Sequence, residues 1–545
     1  MEEDTGIEYT YDPVMQDWKK KVAPYSAIVC KDGSTVWAED SDGKTIASGE
    51  AGVDDASVIQ SAIDHATADI PSDSFIRPTI VLSSSADNNK MYIKSTIYIR
   101  KPLQLVDNGV ELINESDGFL LEVDNGDTDT YPQNVKLCNL CINANGRKGA
   151  ALRYCGNPKM YDCVIYNAKV ALEFERVWGG NSLVFNCIFM GEADDENGLI
   201  RFAYPSRAPD NTNAVRFIDC SSYQTNPNAS DIFVDRQNTG NVNLIYIWAW
   251  ESESKGMWLY APYHIDALFI DEPRISTWRH GLYIVGGKIL HISGGEMAKM
   301  YLENVSQAVI DGCSPAIKPD DPISDKPWLY GYGGPWSVKN IHFASISNDA
   351  PLIHLGMHDD GTENHWYATC RIESCAFLSC DVPIAIRMDP NGSQRAIISC
   401  QFRKLNPENT RTGVVAISVS NYYDKLIVRN CQFADTDYYD IGNITEWDFD
   451  GIMVEKAPFK NSGTQTFDGD GTTTDFLIGD HGLAVTDPSR IVVKVTPVSS
   501  DAIAASPCVG YVDPADNTKI RVKFASAPAS GTGNVKIVWE AQVIS

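Results

Sequence analysis

The sequence is poor in positive charge and contains no basic run. Its 45 Lys and Arg residues stand against 72 Asp and Glu, which gives a formal net charge of -27 at pH 7. A surface of this sign repels phosphate backbones, so nucleic acid is excluded as an expected partner. The acidic balance indicates a solubilising surface. Adaptation to high salt is the alternative, and the ample Lys content weakens it.

The sequence also lacks a long apolar run and a secretion signal. Nowhere do about 18 apolar residues follow one another, and the amino terminus does not combine a charged start with an apolar stretch. We therefore expect no membrane insertion. We expect the chain to be made in a cytoplasm and not to leave it by the general secretory route.

What the sequence does contain is a recurring phrase: a polar residue, then Cys, then an apolar residue two places after the Cys. Cys163 and Cys187 are 24 residues apart, Cys375 and Cys400 are 25 apart, and gaps of 33 and 31 residues elsewhere leave room for a loop. A recurrence of this length is typical of solenoids and propellers. The copies begin at Asp162, Asn186, Ser374, Ser399 and Asn430, with a truncated copy at Asp219-Cys220.

The contents of each copy favour a parallel β-helix. Short β-rich pieces such as Leu183-Val184-Phe185 and Ala396-Ile397-Ile398 alternate with Gly, Asn, Asp and Pro, and no copy has a helical pattern. In a parallel β-helix, equivalent residues stack on coils about 4.8 Å apart. We expect Cys and Phe to line the interior and Asn or Asp to mark the bends.

Fourteen cysteines raise the question of disulfides or metal. Six of them occupy the same place in the repeat, where a stacked thiol behaves as a small apolar residue. Cys138 and Cys141 are three residues apart but face no second pair. We predict buried free thiols, with a disulfide framework and a metal site as the less favoured alternatives, and we expect no metal and no cofactor.

Two segments precede the repeats. Residues 1–50 are interpreted as a lead-in or attachment segment, with a strand, turn, strand pattern from Tyr25 to Ala38 around Asp32-Gly33 and a second turn at Asp42-Gly43. We predict a helix at residues 54–68 that covers the open end of a β-helix spanning residues 51–460. Asp54 or Asp55 is expected to cap the first turn of this helix. Its apolar stripe consists of Ile59, Ala62, Ile63 and Ala66.

The helix segment, Asp54-Asp55-Ala56-Ser57 followed by Ile59-Gln60 and Ala62-Ile63-Asp64, resembles the opening of pectate-lyase-like β-helix proteins, including viral tailspikes and depolymerases. The run before it resembles the lead-in of archaeal viral and surface β-helix proteins. The resemblance covers residues 25–455. It implies a right-handed parallel β-helix and a homotrimeric virion fibre or spike that recognises a host surface glycan and assembles with other virion tail proteins.

Beyond residue 460 the repeat phrase disappears. Asn461-Ser462-Gly463-Thr464 is predicted to be a linker, and the segment 461–545 to be a separate β-sandwich for binding or trimerisation. Its alternating, half-buried strands are expected within Ile491–Val495, Lys519–Phe524 and Asn534–Trp539.

A candidate catalytic column comes from aligning strand starts at spacings of 23 and 22 residues, which places Glu251, Arg274 and Glu296 on three neighbouring coils. Two strand spacings separate the carboxylates by about 9 to 10 Å, near the upper end of the range for inverting glycosidases. Arg274 would keep one carboxylate ionised as the base and leave the other as the acid. The alternative is a structural ladder of paired charges. Glu253, Asp271 and Glu272 are further candidates.

Aromatic residues crowd the same coils. Aromatic rings stack on the apolar faces of sugars, and neighbouring acidic and amide groups meet their hydroxyls, so the cluster predicts a carbohydrate groove. Each ring taken alone could instead be core packing. The candidate glycan-binding residues are Trp248, Trp250, Trp258, Tyr260, Tyr263, Trp278 and His280.

A second cluster, in a Gly-containing loop, has the residue types of a metal site but no tight ligand spacing, so an exposed loop is favoured. It consists of His354, His358, Asp359, Asp360, Glu363, His365 and Trp366.

Three functions remain open. The favoured one is a tail fibre or tailspike that binds a host polysaccharide or glycoprotein. The second is a polysaccharide depolymerase of the same fold, with hydrolase favoured over lyase because the chain offers no clean Asp triad for calcium. The third is an archaeal cell-surface adhesin, which the missing secretion signal disfavours.

Overall fold

A computed structural model of the chain describes residues 9–12, 17–20, 25–84, 89–124, 126, 131–195, 197–203, 212–235, 242–262, 265–277, 279–317, 323, 325–355, 370–388, 395–403, 405, 415–419, 426–434, 439–441, 447–450, 453–454, 460–483 and 488–543. The chain forms two compact units, residues 1–308 with 313–323 and residues 309–312 with 324–545. The domain boundaries at residues 50 and 460 remain predictions.

The amino-terminal part of the first unit is antiparallel. Gly33, with a φ of 53°, makes the turn that Asp32-Gly33 predicted. The strand at Ala27–Asp32 also pairs in parallel with Thr79–Ser84, so this sheet continues into the first coil. The antiparallel strands are Tyr9–Asp12, Asp17–Lys20, Ala27–Asp32, Thr35–Asp40 and Thr45–Glu50.

The predicted helix spans Asp55–Thr67 and buries one apolar stripe that includes Ile59, Ala62 and Ile63. The predicted capping is wrong, because no side chain caps the first turn. Asp54 instead accepts a hydrogen bond from the Glu50 amide. Asp55 accepts from the amides of Gly52 and Tyr92, and it binds the Lys31 ammonium. These carboxylates fix the helix to the preceding turn and to the first coil.

Lys31 and Asp55 form a buried ion pair. The Lys31 Nζ lies 3.0 Å from Asp55 Oδ2, and the two side chains are 2% and 0% exposed. Breaking a buried pair by removing one partner is strongly destabilising, because the other charge is left without compensation. The pair therefore joins the antiparallel sheet to the helix.

The rest of the first unit is a parallel β-helix. Three parallel series of strands run through it, and each strand pairs with the equivalent strands of the preceding and following coils. Its strands are Thr79–Ser84, Lys90–Ile93, Ile97–Ile99, Gln104–Asn108, Glu111–Asn114, Phe119–Val123, Lys136–Cys138, Cys141–Gly156, Lys159–Tyr161, Val164–Trp178, Ser182–Phe185, Ile188–Gly191, Gly198–Phe202, Thr212–Ile218, Ser221–Gln224, Ser230–Val234, Val242–Trp248, Glu251–Ser252, Met257–Ala261, Ile265–Asp271, Arg274–Ile275, Leu282–Ser293, Glu296–Met297, Met300–Val305 and Ser314–Pro315. The predicted β-helix is confirmed.

The repeat phrase marks one corner of each coil in which it occurs. Its polar residue adopts the left-handed conformation, as at Asn186 with a φ of 49° and Asn430 with a φ of 52°. Asn and Asp tolerate this conformation better than other non-glycine residues because their short side chains bond locally. The following Cys then points into the interior: Cys163, Cys187 and Cys220 are buried and unbridged. The predicted places of Cys and of Asn or Asp are confirmed.

The second unit contains coils of the same kind. Phe343, Phe377, Phe402 and Phe433 stack in its interior with ring centroids 4.8 to 4.9 Å apart, as the phrase predicted. The strands of these coils are Ala308–Asp311 (residues 309–311 in this unit), Leu329–Gly333, Trp336–Lys339, His342–Ala344, Ile353–Leu355, Cys370–Glu373, Ala376–Leu378, Ile384–Met388, Arg395–Ile398, Gln401–Arg403, Val415–Val419, Leu426–Arg429, Gln432–Ala434, Tyr439–Ile441, Trp447–Asp450 and Met453–Val454.

The carboxyl-terminal segment is the predicted β-sandwich. Two three-stranded antiparallel sheets enclose one core, which includes Ile520, Val522 and Ile537. The predicted linker at 461–464 is wrong, because these residues lie inside a strand and pair with the last strand of the chain. The elements are Lys460–Gly469, Asp475–Asp480, Ile491–Pro497, Cys508–Val512, Lys519–Phe524 and Gly531–Val543, with a 3-10 turn at Pro488–Arg490 and a helix at Ser500–Ala504.

Candidate functional site

The predicted column exists in the first unit. Glu251 pairs with Arg274, and Arg274 pairs with Glu296, in parallel register on three successive coils. The alignment at spacings of 23 and 22 residues is therefore confirmed as a structural register. The catalytic roles of the three residues remain predictions.

All three side chains of the column are exposed. Two strand spacings place the backbone positions of Glu251 and Glu296 about 9 to 10 Å apart. Within the part of the chain that the structure describes, no ion pair joins Arg274 to either carboxylate. The column thus presents two acids and one guanidinium that are open to solvent and to a ligand.

A groove of about 420 Å³ runs beside this column. One of its walls extends the column by two coils toward the amino terminus. Ser221 pairs with Glu251, and Ile188 pairs with Ser221. The groove also contains Arg274, whereas Glu296 continues the column beyond the lining. The strand register therefore aligns an apolar group, a hydroxyl, a carboxylate and a guanidinium along one wall.

The other wall of the groove consists of corner residues. Asn186, Asp219, Ala249 and Glu272 all have positive φ values between 49° and 53°. They line the groove together with Gly295. This conformation turns the chain sharply between two strands, and the corner row contributes the amide of Asn186 and the carboxylates of Asp219 and Glu272 to the lining. The result is a polar trough with donors and acceptors on both sides.

Asp271 and Glu253 lie near this groove but outside its lining. Asp271 accepts a hydrogen bond from the Ser293 hydroxyl on the next coil, and it pairs in register with Trp248. Glu253 is exposed. Of the three further candidates from the sequence, Glu272 alone lines the groove.

The predicted aromatic residues separate into surface and core. Trp248 is 41% exposed, whereas Trp250 and Trp258 are 0% exposed. A sugar cannot stack on a ring without accessible surface, so Trp250 and Trp258 are corrected to core residues. Tyr263 and Trp278 lie outside the described residues.

Tyr260 and His280 belong to a half-buried aromatic row. Phe233, Tyr260, Tyr283 and Tyr301 pair in register on successive strands, with centroid distances of 5.6, 5.2 and 4.5 Å. His280 packs edge-on against Tyr283 at 5.9 Å. Each ring covers part of its neighbour, so the row combines packing with a limited exposed rim.

Trp250 is buried because it takes the place of a repeat cysteine. Ser221 pairs with Glu251, so the preceding residues, Cys220 and Trp250, are equivalent on adjacent coils. The indole Nε1 of Trp250 donates to the Ser222 hydroxyl at 2.9 Å. The groove therefore overlies a core position filled by a large ring.

The interior of the same coils contains a buried carboxyl group that was not predicted from the sequence. Asp231 is fully buried and accepts hydrogen bonds from the hydroxyls of Ser222, Ser252 and Ser254. Burial raises the pKa of Asp231 to about 6, against the lowering effect of the three hydroxyls. The one signal in the sequence was the alternation of Ser252 and Ser254 beside Glu251.

Of the second cluster, the structure describes His354. His354 is half-buried on the strand Ile353–Leu355, and the other members lie outside the described residues. In the described ranges, no group of three or more His, Cys, Asp or Glu side chains is arranged to hold a metal ion. Neither described helix has the length and apolar character to cross a membrane.

No protein-family model matches the chain, and no curated protein is significantly similar to it. The chain is similar to a mutant tailspike protein of E. coli bacteriophage HK620 in complex with a pentasaccharide, at 12% identity and a TM-score of 0.40, over 93% of this chain and 92% of that chain. It is also similar to the tailspike of Pseudomonas phage phi297, at 11% identity and a TM-score of 0.36, over 82% of this chain and 68% of that chain.

A third similar structure is ORF18 of Geobacillus virus E2, at 11% identity and a TM-score of 0.28, over 98% of this chain and 86% of that chain. Scores below 0.5 do not establish a common fold. The parallel β-helix is established by the strand registers of the chain itself.

Proposed function

We propose that the chain is a receptor-binding protein of a virion tail, of the fibre or tailspike type, that recognises a glycan on the host cell surface. In this proposal it is synthesised in the host cytoplasm, assembles as a homotrimer with other tail proteins, and acts outside the cell. The partner is a surface polysaccharide or glycoprotein.

The observation that carries the proposal is the groove along Ser221, Glu251 and Arg274. Its walls present hydroxyl, amide, carboxylate and guanidinium groups at the regular spacing of successive coils. Sugar hydroxyls need such donors and acceptors, and a linear glycan repeats along its length as the coils do. Trp248, which is 41% exposed, adds an aromatic face on the same coil.

Glycan hydrolysis is the second candidate function, and the geometry of the column favours it. Glu251 and Glu296 are exposed on one face about two strand spacings apart, near the separation that inverting glycosidases use. In this candidate function one carboxylate acts as the base and the other protonates the leaving group, with Arg274 in register between them.

The test exposes the protein to surface polysaccharides from candidate hosts and measures both binding and products. Binding by interferometry without new reducing ends supports recognition alone. New reducing ends that disappear in Glu251→Gln or Glu296→Gln support hydrolysis, and absorbance at about 235 nm would indicate a lyase product instead.

A matched pair of variants checks the place of binding. Trp248→Ala is expected to weaken binding about tenfold through the loss of one stacking ring. Trp178→Ala removes a ring that is 39% exposed at a different place and is expected to leave binding unchanged. Binding to no polysaccharide from any susceptible host would contradict the proposed function. Light scattering coupled to size exclusion tests the trimer.

A further inference from the structure

A second cleft lies on the first unit, next to the groove along the strands Ile188–Gly191 and Ser221–Gln224, and has a volume of about 1230 Å³. Four successive coils contribute to it through residues of the strands Cys141–Gly156, Val164–Trp178, Ile188–Gly191 and Ser221–Gln224 and of the segments that follow the last two. Its volume exceeds that of typical small-ligand pockets and suits an oligosaccharide. None of its residues belongs to the predicted column or to the predicted aromatic cluster.

Two tyrosines form the aromatic part of the cleft. Tyr223 pairs in register with Met190 and is 43% exposed. Among the described residues its hydroxyl has no hydrogen-bond partner. Tyr166 is half-buried, and its hydroxyl donates to Glu111. Tyr166 is thus held in place, whereas Tyr223 offers both a ring face and a hydroxyl.

Close backbone packing forms the floor of the cleft. Gly191 pairs with Ala168 on one coil and with Gln224 on the next. A Cβ added at Gly191 would lie 2.0 Å from the Ala168 carbonyl oxygen. No other residue fits there without moving the backbone, so the glycine allows the two coils to approach closely at the floor of the cleft.

The rim of the cleft is acidic. Glu192, Asp194 and Asp195 are exposed. Lys169 compensates one of these carboxylates through a 2.8 Å ion pair with Asp194, while Asn226 donates to Asp195 at 2.8 Å. Three carboxylates against one ammonium leave two net negative charges beside the tyrosines.

From this combination, and resting on the proposed function, we infer that the cleft binds a glycan segment free of carboxylate, phosphate and sulfate groups, made of uncharged or amino sugars. Carboxylates accept hydrogen bonds from sugar hydroxyls and pair with ammonium groups. An anionic sugar would bring like charge to a site that is already negative on a chain whose formal net charge is -27. Tyr223 supplies the ring on which an apolar sugar face stacks.

The test is a glycan array that contains neutral, amino and acidic oligosaccharides, probed with the full-length protein. Binding is expected among the neutral and amino classes, with the acidic class at least tenfold weaker at low salt. The difference should shrink as ionic strength rises, because screening reduces repulsion between exposed charges.

Two pairs of variants locate the binding. Tyr223→Ala is expected to weaken the array signal about tenfold, and Tyr98→Ala, which removes a ring of 38% exposure elsewhere, should not change it. Glu192→Lys is expected to raise binding of acidic glycans relative to neutral ones. Glu50→Lys, the same charge change at an exposed site on the strand Thr45–Glu50, should leave that ratio unchanged.

The outcomes separate the inference from the function on which it rests. Preferential binding of acidic glycans, or neutral binding that Tyr223→Ala leaves intact, overturns the inference while glycan recognition stands. Binding to no class by the folded protein overturns both.

Discussion

The same interior position carries different side chains in the two units. In the second unit, the residue two places after the phrase cysteine is Phe in successive coils, and the rings of Phe377 and Phe402 are parallel within 2°. In the first unit, the equivalent interior positions on three successive coils are Phe189, Ser222 and Ser252. An uninterrupted apolar stack is therefore replaced by two hydroxyls.

The two serines that replace Phe lie on coils that line the groove. Ser222 and Ser252 follow the groove residues Ser221 and Glu251 in sequence, and both hydroxyls bind the buried Asp231. Hydrogen bonds are directional, so a satisfied buried network fixes positions more narrowly than apolar packing does. The comparison indicates that the second unit uses its interior for cohesion, while the first also uses it to position one wall of the groove.

The largest expected effect is in the Phe stack. Phe402→Ala removes a ring packed at 4.9 Å from Phe377 and 4.8 Å from Phe433. We expect a loss of about 4 kcal/mol in the free energy of unfolding, because a buried cavity remains. Urea denaturation combined with hydrogen exchange in the second unit measures it. Phe402→Leu should cost only about 1 kcal/mol, and equal losses for both variants would contradict the stacking account.

The next effect is a pH dependence in the first unit. Burial raises the pKa of Asp231 to about 6, above its unfolded value of 3.8. The folded state thus binds the proton more tightly than the unfolded state does. The contribution of this proton to the free energy of unfolding is fully present below about pH 4 and is lost as the pH rises through about 6. The span is about 3 kcal/mol.

Chemical denaturation across that pH range checks the prediction. Asp231→Asn should remove about half of the slope that the two buried carboxyl groups produce. The other half will remain, because burial also raises the pKa of Asp107 to about 6. A slope of equal size in the variant and the parent would show that Asp231 does not titrate as described.

The smallest effect concerns a corner. Asn186 has a φ of 49°, and its amide donates to Asp162 at 2.7 Å. Asn186→Ala and Asn186→Gly both lose this hydrogen bond, but only Ala meets steric strain in the left-handed region. We expect Ala to be about 1 kcal/mol less stable than Gly by thermal denaturation. Equal stability of the two variants would remove the conformational argument.

Much of the fold was predictable because successive coils of a parallel β-helix use the same local interactions. The recurring phrase indicated the corner conformation, the buried thiols and the Phe stack from local residues alone. The column of Glu251, Arg274 and Glu296 followed from strand spacing, because parallel register converts a sequence interval into a position on the next coil.

The buried tryptophans were mispredicted although a signal was present. Ala249-Trp250-Glu251-Ser252 aligns with Asp219-Cys220-Ser221-Ser222, which places Trp250 at the interior position of the phrase. Residue type alone suggested a sugar platform, whereas alignment with the phrase would have indicated core.

The cleft at Tyr223 and the buried Asp231 could not be predicted in the same way. Tyr223 is an outward residue, and nothing in a two-residue alternation tells which outward residues border a concavity. Asp231 meets Ser222, Ser252 and Ser254 across two coils. Such a network depends on the shape of the interior, which no single segment encodes.

The helix Asp55–Thr67 and its buried ion pair to Lys31 have one more consequence. A first coil left bare would present unpaired strand edges and apolar side chains to the matching end of another molecule. Head-to-tail polymerisation into filaments would follow. The helix covers this end and is held there by a buried charge pair, so filament growth from this end is disfavoured.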